Sequence, residues 1–439
     1  FATPNVYPPQ TYLDAMRNTD TTLVLMERLF STTLVLAAVA LMGVAFVPHQ
    51  AVSKTCYAVS TGAWSAGSTW SSTEATGSGG SCGSGGEVPG SGDTAEILSG
   101  VAVTVTSAAT VGTVTVRDDA LGIFLAGDNL TIQNELNIGV TSTPGNAKLQ
   151  TFNEQFSAVQ SSGKLTVEAS ATVTVMGELG IDRESGGTGE ADIQGNLTVE
   201  TSGTVKVDRS EPSTAAPLSV GGTLTHKNTA ADSFNANSSS SVTVNQLVNS
   251  GDFDMGGGAL TVNGGIPDNG NTGTIEIGSG GAFTVVGTLN NDGTISTQGA
   301  NLTVDGSSGV ANLLNEGTLS LGSGNLEVNN GRIDNNTGAS LTQGSNSQVK
   351  VGGNFSNNGD LTAGVDSKIV FTGARVPNQQ AAQSLSGNFK DTGNDQLQTV
   401  ILKTGTEVVP DGGAVIFIQD KLLIEDGATY GRSTDPTNT

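Results

Sequence analysis

One short phrase returns along this chain at near-constant intervals, and it limits what the chain can fold into. Asn249-Ser-Gly-Asp-Phe253 is followed by Asn271-Thr-Gly-Thr-Ile275, Asn291-Asp-Gly-Thr-Ile295, Asn315-Glu-Gly-Thr-Leu319, Asn336-Thr-Gly-Ala-Ser-Leu341 and Asn357-Asn-Gly-Asp-Leu361. The closing apolar residues stand at 253, 275, 295, 319, 341 and 361, so successive numbers differ by 22, 20, 24, 22 and 20. A self-similar period of this size marks a solenoid, whose repeats bury their apolar faces only by stacking on neighbours.

Each phrase contains a turn and the start of a strand. Gly takes positive φ without steric cost, and Asn tolerates the left-handed region. The following Thr-Ile or Thr-Leu begins a strand. A second strand type lies between the turns: Leu260-Thr-Val262, Phe283-Thr-Val285, Leu302-Thr-Val304 and Leu326-Glu-Val328. Their apolar-polar alternation buries one face and wets the other. The expected fold is all-β, a right-handed parallel β-helix with coils of about 20–24 residues, preceded by an N-terminal signal helix. A propeller blade is longer, at roughly 40 residues, and a leucine-rich repeat has a fixed Leu/Asn spacing that is not seen here. Asparagines stacked at the turns are expected to form side-chain ladders.

The same step is visible upstream: the numbers differ by 20 between Val103 and Ile123, and by 22 between Val114 and Leu136. Residues 141–162 and 182–192 break the pattern and read as loops projecting from the stack. Leu197-Thr-Val199 echoes Leu165-Thr-Val167 after a step of 32, as one coil plus an insertion. The expected organisation is upstream read-through or a fragment edge over 1–25 and a signal segment over 26–53. A Trp/Gly-rich cap over 54–93, the β-helix over 94–428 and a polar tail over 429–439 follow.

Composition narrows the functions. The chain of 439 residues has 61 Gly, is only 13% charged, and carries a formal net charge of −23 with pI near 4.2. Nucleic acid is excluded as an expected partner, because phosphate binding needs Lys/Arg clusters. Met26-Glu-Arg28 precedes an apolar run ending at Val47, and Ala51-Val-Ser53 offers small residues for cleavage. This is the layout of a secretory signal, with a retained signal anchor as the alternative. The expected location is secreted or cell-surface, with membrane contact only through this segment. Cys56 and Cys82 then reach an oxidising compartment and are expected to pair; a lipid-modified Cys56 is the alternative.

Gly62-Ala-Trp64 and Ser68-Thr-Trp70 hold the only two Trp, and Glu87-Val-Pro-Gly-Ser-Gly-Asp93 leads into Glu96-Ile-Leu-Ser-Gly100. This order of features resembles the start of secreted bacterial β-helix proteins, and an eight-glycine domain of surface proteins shares it. Lys368-Ile-Val-Phe-Thr-Gly373 followed by Gln383-Ser-Leu-Ser-Gly-Asn-Phe389 resembles surface proteins of the Bacteroidetes type. The resemblance implies an adhesin-like surface protein. Trp64 and Trp70 are expected to cover the open end of the first coil, with sugar stacking as the second reading.

Catalytic residues are not expected. Arg117-Asp118-Asp119 reads as a charged turn tip. Asp252 and Asp254 flank Phe253 on one strand face and are weak Ca2+ candidates; no other metal or cofactor is expected. Gly186-Gly-Thr-Gly-Glu-Ala-Asp192 is similar to the Ca2+-binding glycine nonapeptide, but its Asp falls one residue late and it has no tandem copy. His226 reads as a strand-face residue after Leu224-Thr225. The expected function is a non-catalytic stalk or binding scaffold whose partner is a carbohydrate or another cell-surface component. A polysaccharide lyase or hydrolase on the same fold, or a fragment of a larger surface protein, are the alternatives.

Overall fold

A computed structural model describes residues 53–439, except 75–81, 83–86, 127, 142–146, 151–162, 184–188, 210–216, 307–311, 373–382, 390–396, 404–406, 411–414, 417, 427 and 431–439. The expected signal segment lies outside the described residues, apart from Ser53. The fold is an all-β parallel β-solenoid of about 11 turns. Its strands form sheets of 19, 13 and 8 strands. Among the described residues the one helical element is a short 3-10 turn, Gly67–Thr69.

The second sheet shows the coil step directly. Its inward residues are Val103, Ile123, Leu149, Leu179, Val205, Phe234, Phe253, Ile275, Ile295, Leu319, Leu341 and Leu361, each the register partner of the next. Successive numbers differ by 20, 26, 30, 26, 29, 19, 22, 20, 24, 22 and 20. The expected period therefore holds at the start and over the C-terminal coils, while four wider coils lie between. From Val103 to Leu341 these positions are fully buried, whereas at the last described coil Leu422, Leu423 and Ile424 are exposed. Burial of the inward positions is what a parallel stack closed on itself requires. Phe234 and Phe253 stack with centroids 3.9 Å apart and 14° between planes.

The first sheet runs through Val242, Leu260, Phe283, Leu302, Leu326, Val349, Ile369, Val400 and Leu422. In the N-terminal half its long strands, such as Leu130–Ile138 and Ser241–Asn249, bend in the middle and serve two faces of the coil. In the C-terminal half the second of these faces is a sheet of its own, Thr288–Asn291 through Thr429–Tyr430.

Several expectations change. Lys148–Gln150 is a strand of the second sheet, paired with Ile123–Phe124 and with Glu178–Gly180, so 141–162 is not one loop. The 182–192 segment is likewise flanked by strands Glu178–Arg183 and Glu190–Ile193. Leu165 pairs with Ala191 and Leu197 with Val173, so the echo from Leu165 to Leu197 joined two different faces. The 54–93 module is no separate cap. Thr55–Ala58 pairs in parallel with Thr94–Ile97, and Gly62–Ala63 with Val103–Thr104, so it contains the first coil. Thr429–Tyr430 pairs with Glu407–Val408 and belongs to the stack, not to a tail.

The glycine of the repeated phrase is also needed for a different reason. Gly273, Gly293, Gly317 and Gly359 are not among the positive-φ residues. A Cβ on Gly293 would lie 2.2 Å from Gly273 O, and one on Gly317 2.0 Å from Gly293 O. Successive turns pass so closely that only a missing side chain lets the backbones stack.

Candidate functional site

The densest polar constellation is internal. At the corner between the third face and the second sheet, one column of inward positions runs through the stack. It reads Val116, Ile138, Val175, Val199, His226, Asn249, Asn271, Asn291, Asn315, Asn335, Asn357 and Gly387. The six asparagines are 0–1% exposed. The first five each donate Nδ2–H to the Oδ1 one coil on: Asn249 to Asn271 at 3.0 Å, Asn271 to Asn291 at 2.7 Å, Asn291 to Asn315 at 2.8 Å, Asn315 to Asn335 at 2.7 Å and Asn335 to Asn357 at 2.6 Å. The second amide hydrogen goes to a backbone carbonyl of the next coil, as in Asn291 Nδ2 to Thr318 O at 3.0 Å. Buried amides are tolerated here because their donors and acceptors are satisfied along the column.

The ladder member of the fifth coil is Asn335, not the Asn336 that begins the Asn-x-Gly phrase. Asn336 points outward, and its Nδ2 donates to Glu316 Oε1 at 2.8 Å. Counted from the ladder residue, the turn there is two residues longer than the one from Asn315 to Thr318, and Ala339 follows Gly338 before the strand Ser340–Thr342 begins. His226 is likewise interior, at 0% exposure. Its Nδ1 lies 2.9 Å from Asn249 Oδ1 and its Nε2 3.1 Å from Ser233 Oγ. Burial pushes this imidazole below its ordinary value, against the upward pull of Asn249 and Asp252.

Trp64 and Trp70 are 2% and 0% exposed, with ring centroids 4.8 Å apart in an edge-to-face pair. Trp70 Nε1–H donates to Trp64 O at 2.8 Å. Neither ring face is open to a sugar, so the stacking reading of this pair is withdrawn. The antiparallel strand Trp70–Ser71 lies across Tyr57 and Ala58 at the start of the stack. Cys56 and Cys82 are joined as a disulfide with Cα atoms 5.3 Å apart, and both are buried.

Asp252 and Asp254 stand on the outer face of the second sheet, where Glu276 is the register partner of Asp254. Burial, and then Asp254 and Asp252, raise the Glu276 carboxyl. Asp252 Oδ2 accepts the Asp232 N–H at 3.1 Å, and Asp254 Oδ1 the Gly256 N–H at 2.7 Å. Both therefore fasten turns, and among the described residues no group of three or more His, Cys, Asp or Glu is arranged to hold a metal ion. Arg117 pairs with Glu96 and Glu74, and Asp118 Oδ1 accepts the N–H groups of Val140 at 2.9 Å and Thr141 at 3.3 Å. Partial burial would raise the Asp118 carboxyl, but these donors outweigh it and hold it down. This tip clamps one coil to the next.

Over three to four coils the outer faces carry uncharged rows, which run on into Glu327 and Lys350 on the first sheet and into Asp252 and Asp360 on the second. Thr243, Thr261, Thr284 and Thr303 are register partners on the first sheet. Thr274, Thr294 and Thr318 form one row on the second sheet, and Ser296 and Ser320 lie beside it. Cations sit opposite carboxylates of neighbouring coils, as in Lys206–Glu178 and Lys227–Glu200, both at 2.8 Å. Among the described residues no helix is long and apolar enough to cross a membrane. No protein-family model, no curated protein and no solved structure matches the chain.

Proposed function

We propose that this chain is an exported, non-catalytic scaffold, a surface stalk or adhesin-like rod whose long polar faces make its contacts. The observation that carries this reading is the continuity of the outward Thr and Ser rows over three to four successive coils above a buried apolar interior. Such a face repeats the same chemistry about every 4.8 Å and suits many weak contacts better than one deep pocket. Its partner class is a carbohydrate or another cell-surface component. Export is supported by the apolar segment within 26–53 and by the disulfide near the start of the stack.

The test applies the full chain to a glycan array and to a polysaccharide-depolymerisation screen. Binding without chain cleavage is expected. Release of reducing ends or unsaturated products would replace the scaffold with a carbohydrate-active enzyme, and binding to no glycan or cell surface would refute the adhesin role. Expression in a secreting host with N-terminal sequencing checks export, with Lys54 expected as the first residue.

A further inference from the structure

His226 stands where two things change at once. The corner column is apolar from Val116 to Val199 and amide from Asn249 to Asn357. The coil also changes size here. Between Ile123 and Phe234 the second sheet advances by 26, 30, 26 and 29 in the numbering; between Phe234 and Leu361 no step exceeds 24. His226 is thus the adapter between the two halves of the stack.

The hydrogen-bond pattern fixes how it works. Asn249 Nδ2 is committed to Asn271 Oδ1 at 3.0 Å and Thr274 O at 2.9 Å, so Asn249 presents its oxygen to the ring. Nδ1 of His226 therefore carries the proton. Nε2 lies 3.1 Å from Ser233 Oγ, whose one hydrogen also has Asn228 O at 2.7 Å and Asp252 O at 3.2 Å as acceptors.

The surroundings offer no contacting counter-charge to a second proton. The coil before supplies Val199 as register partner, and the Glu200 carboxylate is taken by Lys227 Nζ at 2.8 Å. The coil after supplies Asn249, Gly251, Phe253 and Asp252, and a Cβ on Gly251 would meet the ring Cε1 at 2.7 Å. The chain just beyond His226 itself supplies Ser233 and Phe234. Asp252 is the one carboxylate acting on the ring, and its Oδ2 is engaged by Asp232 N–H. An imidazolium here would be a buried charge without a contacting counter-ion, which is costly.

We infer that His226 makes this joint acid-labile: protonation of its ring opens the contact between the coil of Leu218–His226 and that of Ser241–Asn249 while the asparagine-laddered coils stay closed. Burial, the largest influence, lowers the imidazole in the closed joint, whereas in the opened joint it titrates at about 6.5. Stability of the joint is therefore intact above that value and falls as pH drops below it, until the closed-state value is reached. Within that window the opening constant rises about tenfold per pH unit.

The experiment follows amide hydrogen exchange and the His226 Cε1–H resonance of the full chain from about pH 7.5 to about pH 5, in the wild type and in His226→Asn, which continues the amide column. Only two His occur in the chain, so the resonance is readily assigned. Expected are a ring midpoint below about 6.5 and a loss of protection confined to residues 218–255. His226→Asn should remove that pH dependence. A midpoint at or above the ordinary value overturns the inference, as does an unchanged acid response in His226→Asn. If that variant does not fold, the wild-type midpoint and the location of its exchange decide alone.

Discussion

Replacing Asn335 with Ala tests the internal ladder against a neighbouring residue of the same type. Asn335 Nδ2 donates to Asn357 Oδ1 at 2.6 Å and Asp360 O at 3.0 Å, and its Oδ1 accepts from Asn315 Nδ2 at 2.7 Å. Alanine removes all three bonds, each worth about 1 kcal/mol net, and takes the ladder donor from Asn357, for about 1–3 kcal/mol more. The expected cost is about 4–6 kcal/mol, a large fraction of the stability of any local unit. Asn336, one residue on, makes an exposed bond to Glu316 at 2.8 Å, and Asn336→Ala should stay within about 0.5 kcal/mol. A stack of repeats need not unfold in one step, so the readout is hydrogen exchange at Asn336, Asn358 and Gly359, whose amides bond to ladder-residue carbonyls. Asn335→Ala should lower protection there at least about 100-fold. Equal effects of the two variants, or a loss under about 1 kcal/mol for Asn335→Ala, would refute the ladder as a source of stability.

Other outcomes follow from the same geometry. Gly317→Ala places a methyl 2.0 Å from Gly293 O and should lower the thermal midpoint through overpacking of about 1–3 kcal/mol. Gly280→Ala, with φ +89 and no atom nearby, should cost only about 1 kcal/mol of backbone strain. Replacing both Cys56 and Cys82 with Ala opens a link whose ends are 26 apart in sequence and should destabilise the first coils by about 3 kcal/mol, read as an earlier transition in Trp fluorescence. Because Trp64 and Trp70 are buried, titration with oligosaccharides should leave that fluorescence unchanged; a saturable shift would reopen the sugar-stacking reading. Millimolar CaCl2 should not raise the thermal midpoint, since Asp252 and Asp254 already fasten turns; a rise lost in Asp252→Asn would restore the Ca2+ assignment.

Most of the architecture was legible in the chain. Apolar residues at the ends of Leu-Thr-Val triplets point inward, and their recurrence set the coil. Register was legible only where the step stayed regular. Leu165 and Leu197 match in wording, but the chain between them turns a corner, and their partners are Ala191 and Val173. The Asn-x-Gly spelling points to Asn336, whereas the stack follows the inward position to Asn335, and the longer turn before Ser340 separates the two. The inward position of His226 is legible, because strict alternation puts it on the same face as Leu224. The close-approach role of the glycines is not, since it depends on how near one turn passes to the next.

The amide ladder gives each coil between Asn249 and Asn357 an identical pair of ends: an oxygen facing the preceding coil and an N–H facing the following one. Units with matching ends are interchangeable. Removing or duplicating one whole coil, such as 272–291, would leave every junction chemically the same, whereas an insertion that shifts the column by one residue would break it. The fold therefore carries its own ruler, in which overall length can change in whole coils without any new interface having to be invented.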